Sequence, residues 1–441
     1  MRRRLKHGWW LSVPLALAVS ACLPEGLRVP QSPLSRLLEP KSGTIAFLAA
    51  DGNIYTTDQG GTSQTQITTD AFVEGESYRF YNMPTWSPDN QSLAFASFAG
   101  DSSDAPSDVA LLTANPDGSN LVTAYSSPNF VIFYYWSPDG KRVGFISETP
   151  TNSLVFQVVP REGGDATLVD AGSPYYWTWA PDSSAVMAHA GTVGSAALSH
   201  VSLLKLDPQV AEYGLDLQPG QFKAPAFSPD GSQVLVAAEV TSNTSALLLT
   251  DAFGDNALTL AEYTGHIAFV WSPDGKRVAY LTTTGTSVVE PGQLTVVDPA
   301  GQQQPVTLEG AQVYAFFWSP DNKKLAYFVE TPAEEVEAAD VTASSLLVSP
   351  DNFVLSLRVM DVNSGKTHAV ADFVGTERFL QILPYFDQYD QAMTIWSPDS
   401  KNMLLSAYRG DGAPGIWVAA ESGNLEPRFI APGWVGAWSW K

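Results

Sequence analysis

Trp136-Ser137-Pro138-Asp139-Gly140 decides the fold, because the chain repeats it. Trp86-Ser87-Pro88-Asp89-Asn90 precedes it, and WAPDS (179–183), FSPDG (227–231), WSPDG (271–275), WSPDN (318–322) and WSPDS (396–400) follow. The aspartates of these seven copies stand 50, 43, 48, 44, 47 and 78 residues apart. A period in the forties marks propeller blades or helical arrays. The local chemistry selects between them. Ser-Pro-Asp-Gly is a type I turn: proline presets φ near −65° at its second position, and Asp followed by Gly or Asn suits the exit. Aromatic-rich runs precede each turn, and short apolar runs follow: LAF (93–95), VGF (143–145), VMA (186–188), VLV (234–236), VAY (278–280), LAY (325–327) and MLL (403–405). That pattern is a hairpin, strand A to strand B. Two further strands complete each unit, as in QLTVVD (293–298) and PVTLEG (305–310). Four antiparallel strands per repeat make a propeller blade.

Residues 42–70 hold IAF (45–47), NIYTTD (53–58) and QTQITTD (64–70), which read as strands B, C and D without a strand A. The last residues, GAWSWK (436–441), carry Trp438-Ser439 in the repeat position. The expectation is that this terminal strand completes the first blade. Strand A runs then end at 86, 136, 179, 227, 271, 318, 396 and 438. The predicted fold is all-β: a single eight-bladed β-propeller of four-stranded antiparallel blades over 42–441, closed by the C-terminal strand, with a seven-bladed ring as the alternative.

The repeats resemble those of the TolB-like propeller family, whose blades carry the same Trp-Ser-Pro-Asp-Gly turn. The resemblance covers residues 42–441 and implies a β-propeller. The six-bladed ring and separate amino-terminal α/β domain usual for TolB have no counterpart here, so the Tol–Pal envelope role does not carry over. Prolyl oligopeptidase-like and dipeptidyl peptidase-like enzymes bear blades of this kind beside a hydrolase domain. This chain has neither that domain nor a Gly-x-Ser-x-Gly elbow.

Residues 1–21 read as a leader. Arg2, Arg3, Arg4 and Lys6 precede a short apolar stretch, Leu11 to Val19, too brief to span a bilayer. The run Val19-Ser20-Ala21-Cys22 resembles a bacterial lipobox and holds the only cysteine in the chain. The resemblance implies lipidation of Cys22, cleavage before it, and an extracytoplasmic protein anchored in the membrane at the cell surface or in a periplasm. Several acyl chains hold a protein on a membrane where one does not. Residues 22–41 are proline-rich and read as a tether. Cleavage removes four bases and no acids, taking the net charge from −22 to −26.

Composition excludes several classes. One cysteine cannot staple a fold or build a cysteine-rich zinc site. A strong excess of acids disfavours nucleic acid as a partner. His189, His200, His266 and His368 are not at metal-ligand spacing. No cofactor, metal site or catalytic residue is expected. The repeated Trp residues read as packing between sheets and the repeated Asp residues as turn formers. Thr56–Thr62 resembles an Asp-box turn, and Asn363–Thr367 lacks the upstream glycine of a phosphate loop.

Function is expected where the blades differ, in the connections from strand D to the next strand A, which crowd one face of a propeller. These are aromatic: EGESYRFYNMP (74–84), NFVIFYY (129–135), SPYYW (173–177), YTGHIAF (263–269), VYAFF (313–317) and the long TERFLQILPYFDQYDQAMTI (376–395). Candidate ligand-binding residues are Glu74, Tyr78, Arg79, Tyr135, Tyr176, His266, Phe317, Arg378, Tyr385, Asp387 and Tyr389. The expected role is a monomeric ligand- or protein-binding, or scaffold, module, taking an envelope protein, a peptide or a glycan. The alternative is a surface glycan hydrolase or lyase, whose carboxylates would come from Glu74, Glu76, Glu377, Asp387 and Asp390. An acidic insertion, 331–352, accounts for the 78-residue spacing and reads as a solvated loop or a docking element.

Overall fold

A computed structural model describes residues 39–101, 106–150, 153–192, 195–220, 223–241, 244–285, 287, 289–332, 346 and 353–441. The expected leader, Cys22, most of the tether and nearly all of the 331–352 insertion lie outside the described residues.

The chain is an all-β propeller. Six of the seven expected A–B hairpins form, as where Val131–Trp136 pairs antiparallel with Arg142–Glu148 and Val313–Trp318 with Lys324–Glu330; the seventh, around 396–400, is reduced to an isolated bridge between Trp396 and Met403. Five sheets have four strands in sequence order, the first running through Val131–Trp136, Arg142–Glu148, Leu154–Pro160 and Thr167–Gly172. A sixth gains an extra hairpin, Phe72–Glu74 with Ser77–Tyr81, which pairs onto Leu93–Gly100.

Among the described residues the sheets number seven, not eight. The predicted first and last units are fused in one six-stranded sheet, ordered Gln64–Gln66, Ile54–Thr57, Ile45–Ala49, Arg428–Trp438, Pro414–Ala420, Asn402–Tyr408. The cause is Arg428–Trp438, a single uninterrupted strand. Its first half pairs with Pro414–Ala420 (Trp417 opposite Phe429, Gly415 opposite Pro432), and its second half pairs with Ile45–Ala49 (Leu48 opposite Val435, Ile45 opposite Trp438). Elsewhere a connection separates strand D from the next strand A. Here one runs straight into the other at Pro432-Gly433, where a Cβ on Gly433 would stand 2.9 Å from the Leu48 carbonyl oxygen. The expected non-covalent closure by the C-terminal strand is present, and Arg428 reinforces it. Its guanidinium is almost wholly buried and binds Glu39 through both nitrogens at 2.7 and 3.2 Å, and donates to the Gln59 carbonyl.

The repeated turn works as two sets of stitches. Within six of the seven turns the serine hydroxyl donates to the aspartate, as in Ser137–Asp139 at 2.6 Å and Ser319–Asp321 at 2.7 Å; the 179–183 turn has Ala180 in the serine's place. The fifth residue takes a positive φ: Gly140 +68°, Ser183 +62°, Asn322 +63° and Ser400 +59°. Where that residue carries a side chain, it accepts a hydrogen bond from the preceding turn. The Asp139 N–H donates to Ser183 Oγ (3.0 Å), Asp274 N–H to Asn322 Oδ1 (2.9 Å) and Asp321 N–H to Ser400 Oγ (3.1 Å). A left-handed non-glycine costs roughly 1 kcal/mol or more, which a bond of about 1 kcal/mol offsets.

The repeated tryptophans make the second set. Five of them, Trp86, Trp136, Trp271, Trp318 and Trp396, donate the indole N–H to the carbonyl of the residue just before the aromatic of the preceding unit, whereas Trp438 donates to the Ser42 carbonyl. Trp136 bonds Thr85 O, Trp271 bonds Ala226 O, Trp318 bonds Val270 O and Trp396 bonds Phe317 O, at 3.0–3.3 Å. Trp86 bonds Ala437 O and so carries the series across the closure. These rings are buried between sheets, as their repetition requires. The Asp-box-like stretch is likewise a turn: Asp58 accepts from the Gly60 and Thr62 amides and the Thr62 hydroxyl.

Candidate functional site: the plugged channel

The strands nearest the ring axis run from the D–A connections at one end to the Ser-Pro-Asp turns at the other, as Phe130 to Pro138 shows. The longest connection does not stay at its own end. Residues 376–394 fold into the helix Glu377–Ile382, a 3-10 turn Leu383–Tyr385 and a short helix Phe386–Tyr389. Thr376 caps the first helix by accepting from the Phe379 N–H. Phe379, Ile382, Leu383 and Phe386 recur at helical spacing and are buried.

This segment touches inner strands around the ring. The Phe386 ring lies 4.7 Å from that of Phe316, Tyr389 lies 4.9 Å from Phe133, and the Thr85 hydroxyl donates to the Ala392 carbonyl at 2.6 Å. It therefore occupies the channel as a plug. Its tail bridges to the closing strand, with the Trp438 N–H donating to the Thr394 carbonyl. On sequence these aromatics either line a mouth or fill the wide centre of the ring; here they fill the centre, carried on helices whose apolar period is present in the sequence.

A buried ion pair fixes the plug. Lys223 Nζ lies 3.1 Å from Asp387 Oδ2 and 3.3 Å from Oδ1, and both side chains are buried. Lys223 in turn has its carbonyl 3.1 Å from His189 Nδ1. Burial pushes His189 down to about 4, so the imidazole is neutral at neutral pH. Nothing in sequence marked Lys223, since its partner lies 164 residues away.

One turn after Asp387 stands Asp390. Its side chain is half-buried and lines the cavity beyond. Burial, and secondly the charge of Asp387, push it up to about 7. The cavity, about 500 Å³, opens at the turn end of the channel. Its walls are turn and inner-strand residues: Trp179, Phe227, Trp271 and Trp318, prolines 138, 181, 229, 273 and 320, and Trp440, with Asp387, Asp390, Gln391 and Thr394 at its base. An adjoining hollow of about 290 Å³ shares Pro138, Trp179, Asp390, Gln391 and Trp440. No Lys, Arg or His lines either one.

At the opposite end a smaller cavity, about 220 Å³, lies between Asn82, Phe130, Ile132 and Phe133 on the rim and Arg378, Gln381 and Tyr389 on the plug.

The sequence-predicted residues divide among these places. Asp387 sits in the ion pair. Tyr176 lies near it, its phenol pushed up to about 12 by burial and by the neighbouring Tyr385 and Asp387. Arg378 and Tyr389 line the smaller cavity, and Tyr385 is exposed on the plug. Glu74, Tyr78 and Arg79 belong to the extra hairpin. There Glu74 is exposed, Tyr78 stacks on Phe80, and Arg79 pairs with Asp70 at 3.5 Å and Asp108 at 3.8 Å. Tyr135 and Phe317 are core: the Tyr135 hydroxyl donates to the Trp177 carbonyl, and Phe317 packs edge-on to Phe328 and Phe386. His266 donates its backbone N–H to Thr283 Oγ1 at the start of an inner strand. Of the five proposed carboxylates, Glu74 and Glu76 are on the hairpin and Glu377 is exposed on the first helix. Only Asp387 and Asp390 share a site.

No protein-family model and no curated protein matches the chain. Solved structures similar to it include a eukaryotic initiation factor (13% identical, TM-score 0.51, covering 91% of this chain and 98% of that one). A prolyl endopeptidase is also similar (13%, TM-score 0.52, 80% of this chain), and this chain spans about half of it, 49%. TolB from Acinetobacter baumannii is similar over 75% of this chain and 79% of its own (15%, TM-score 0.38). At these identities the likeness is one of fold. The β-propeller expected from the repeats is the fold found.

Proposed function

We propose that the protein is a lipid-anchored, extracytoplasmic binding module of the cell envelope whose ligand enters the channel at the turn end. The observation that supports it is the composition of that cavity: a wide aromatic and proline wall around one half-buried carboxyl that no basic side chain neutralises. Pockets of this kind, mostly apolar with a few convergent polar groups, take ligands. The hairpin and plug surface at the opposite end are held together by their own contacts. A glycosidase needs two carboxyls on opposite sides of the scissile bond. Asp387 and Asp390 stand on one helical turn, and Asp387 is engaged by Lys223, so the geometry favours binding over that chemistry. Anchoring rests on the Val19-Ser20-Ala21-Cys22 run alone.

Gln391 is exposed in the cavity, so Gln391→Trp fills the space while leaving every turn residue unaltered. Cross-linking in the intact envelope is expected to capture a partner protein, peptide or glycan with the wild-type chain and not with Gln391→Trp. Arg378→Ala and Tyr385→Ala, at the other end, should leave capture unchanged. The converse pattern overturns the reading. Cys22→Ser is expected to move the protein from the membrane to the soluble fraction; retention in the membrane contradicts the anchor.

A further inference from the structure

The turn-end cavity has a chemistry more specific than apolar. Six aromatic residues, Trp179, Phe227, Phe269, Trp271, Trp318 and Trp440, line it. Aromatic rings attract cations to their faces, and the Trp179 ring already holds one, the Arg142 guanidinium 5.5 Å from its centroid. At its base is a carboxylate with no hydrogen bond or ion pair to its side chain shown in the structure, and the second acid there already has its lysine. The whole chain carries a net charge of −22, a field that draws in cations and repels anions. Wall, base and long-range field all favour the same sign.

From this juxtaposition of aromatic wall and uncompensated Asp390, and resting on the binding role proposed above, we infer that the cavity takes an organic cation, an alkylammonium or guanidinium group. Asp390 supplies the counter-charge at the base, and the tryptophans enclose the alkyl stem. The cation belongs either to a free small amine or to a lysine or arginine side chain of a peptide reaching into the channel.

The groups facing Asp390 are Asp387 on its own segment, the Lys223 ammonium that holds Asp387, and the Tyr135 phenol lining the adjoining hollow. Burial pushes Tyr135 well above its ordinary value, so it stays protonated near neutrality. Asp390, pushed up to about 7, is the group that ionises between pH 6 and 8. Its carboxylate fraction rises about tenfold across that range, and cation affinity should rise with it.

Calorimetric titration of the purified protein at constant ionic strength tests this. The probes are butylammonium and butylguanidinium, the neutral pentanol, and the end-blocked peptides Gly-Lys-Gly and Gly-Arg-Gly. Cations are expected to bind at least tenfold more tightly than pentanol at pH 8, with affinity falling up to about tenfold at pH 6. Asp390→Asn is nearly isosteric and should retain the fold. It should weaken cation binding at least tenfold, remove the pH dependence and leave pentanol unchanged. Binding by free amines and peptides alike, or by peptides alone, identifies the source of the cation and supports the inference. Equal affinity for cation and pentanol, or unchanged cation affinity in Asp390→Asn, overturns it. If that happens while Gln391→Trp still abolishes envelope capture, the binding role stands and only the ligand chemistry fails. If Gln391→Trp leaves capture intact, the binding role itself fails.

Discussion

Lys223→Met is expected to lower the unfolding free energy by about 3–5 kcal/mol, measured as a fall in the urea midpoint at pH 7. The side chains of Lys223 and Asp387 are 9% and 4% exposed and lie 3.1 Å apart. Removing the lysine leaves a carboxylate in the protein interior with no counter-ion, and most of the cost is that orphaned charge rather than the lost attraction. The double variant Lys223→Met/Asp387→Leu separates the two. A hydrophobic replacement of a buried ion pair is often neutral or better, so the double variant should recover most of the loss. A single variant as stable as wild type would mean that the plug is not held by this pair.

Trp396→Ala is expected to cost a similar amount, about 3–5 kcal/mol for the deleted ring. It also strands the Phe317 carbonyl that the indole N–H satisfies at 3.0 Å. Trp396 is fully buried where the plug returns to the sheets, next to strands of two units. Trp396→Phe should cost clearly less, since it keeps most of the packed area and loses chiefly one hydrogen bond of about 1 kcal/mol. The chain already carries phenylalanine at the equivalent place, Phe227. Equal losses for Ala and Phe would place the effect in the hydrogen bond, and no loss for either would remove the tryptophans from the account of how sheets adhere.

The turn was fully legible because its chemistry is local. Proline, aspartate and a left-handed fifth residue act within five positions, and seven copies make the pattern unmistakable. The tryptophan role was legible for the same reason, since a residue demanded at every repeat serves the repeat. The number of sheets was not legible. Counting strand A runs gives eight, because Trp438 ends a run of its own, but Pro432-Gly433 lets a single strand serve two units, and no spacing records that a connection has vanished. The plug was half legible. Its aromatics allow either a mouth lining or a filled centre, and Phe379, Ile382, Leu383 and Phe386 repeat at helical spacing behind a threonine cap. The site itself lay beyond local reasoning. Asp387 and Asp390 were visible as acids in a variable segment, but Lys223 and the cavity wall become neighbours only when the ring closes.

The account turns on one claim, that the turn end of the channel is a binding site built around Asp390. Fluorine NMR of protein labelled with 5-fluorotryptophan tests it most directly, with resonances assigned by single Trp→Phe variants. Trp271, Trp318 and Trp440 line the cavity, whereas Trp417 is buried among the strands of the six-stranded sheet. Butylammonium at pH 8 is predicted to shift the first three resonances saturably, leave Trp417 in place, and shift none of them in Asp390→Asn. Cavity resonances that stay still in the wild type, or move equally in Asp390→Asn, would contradict it.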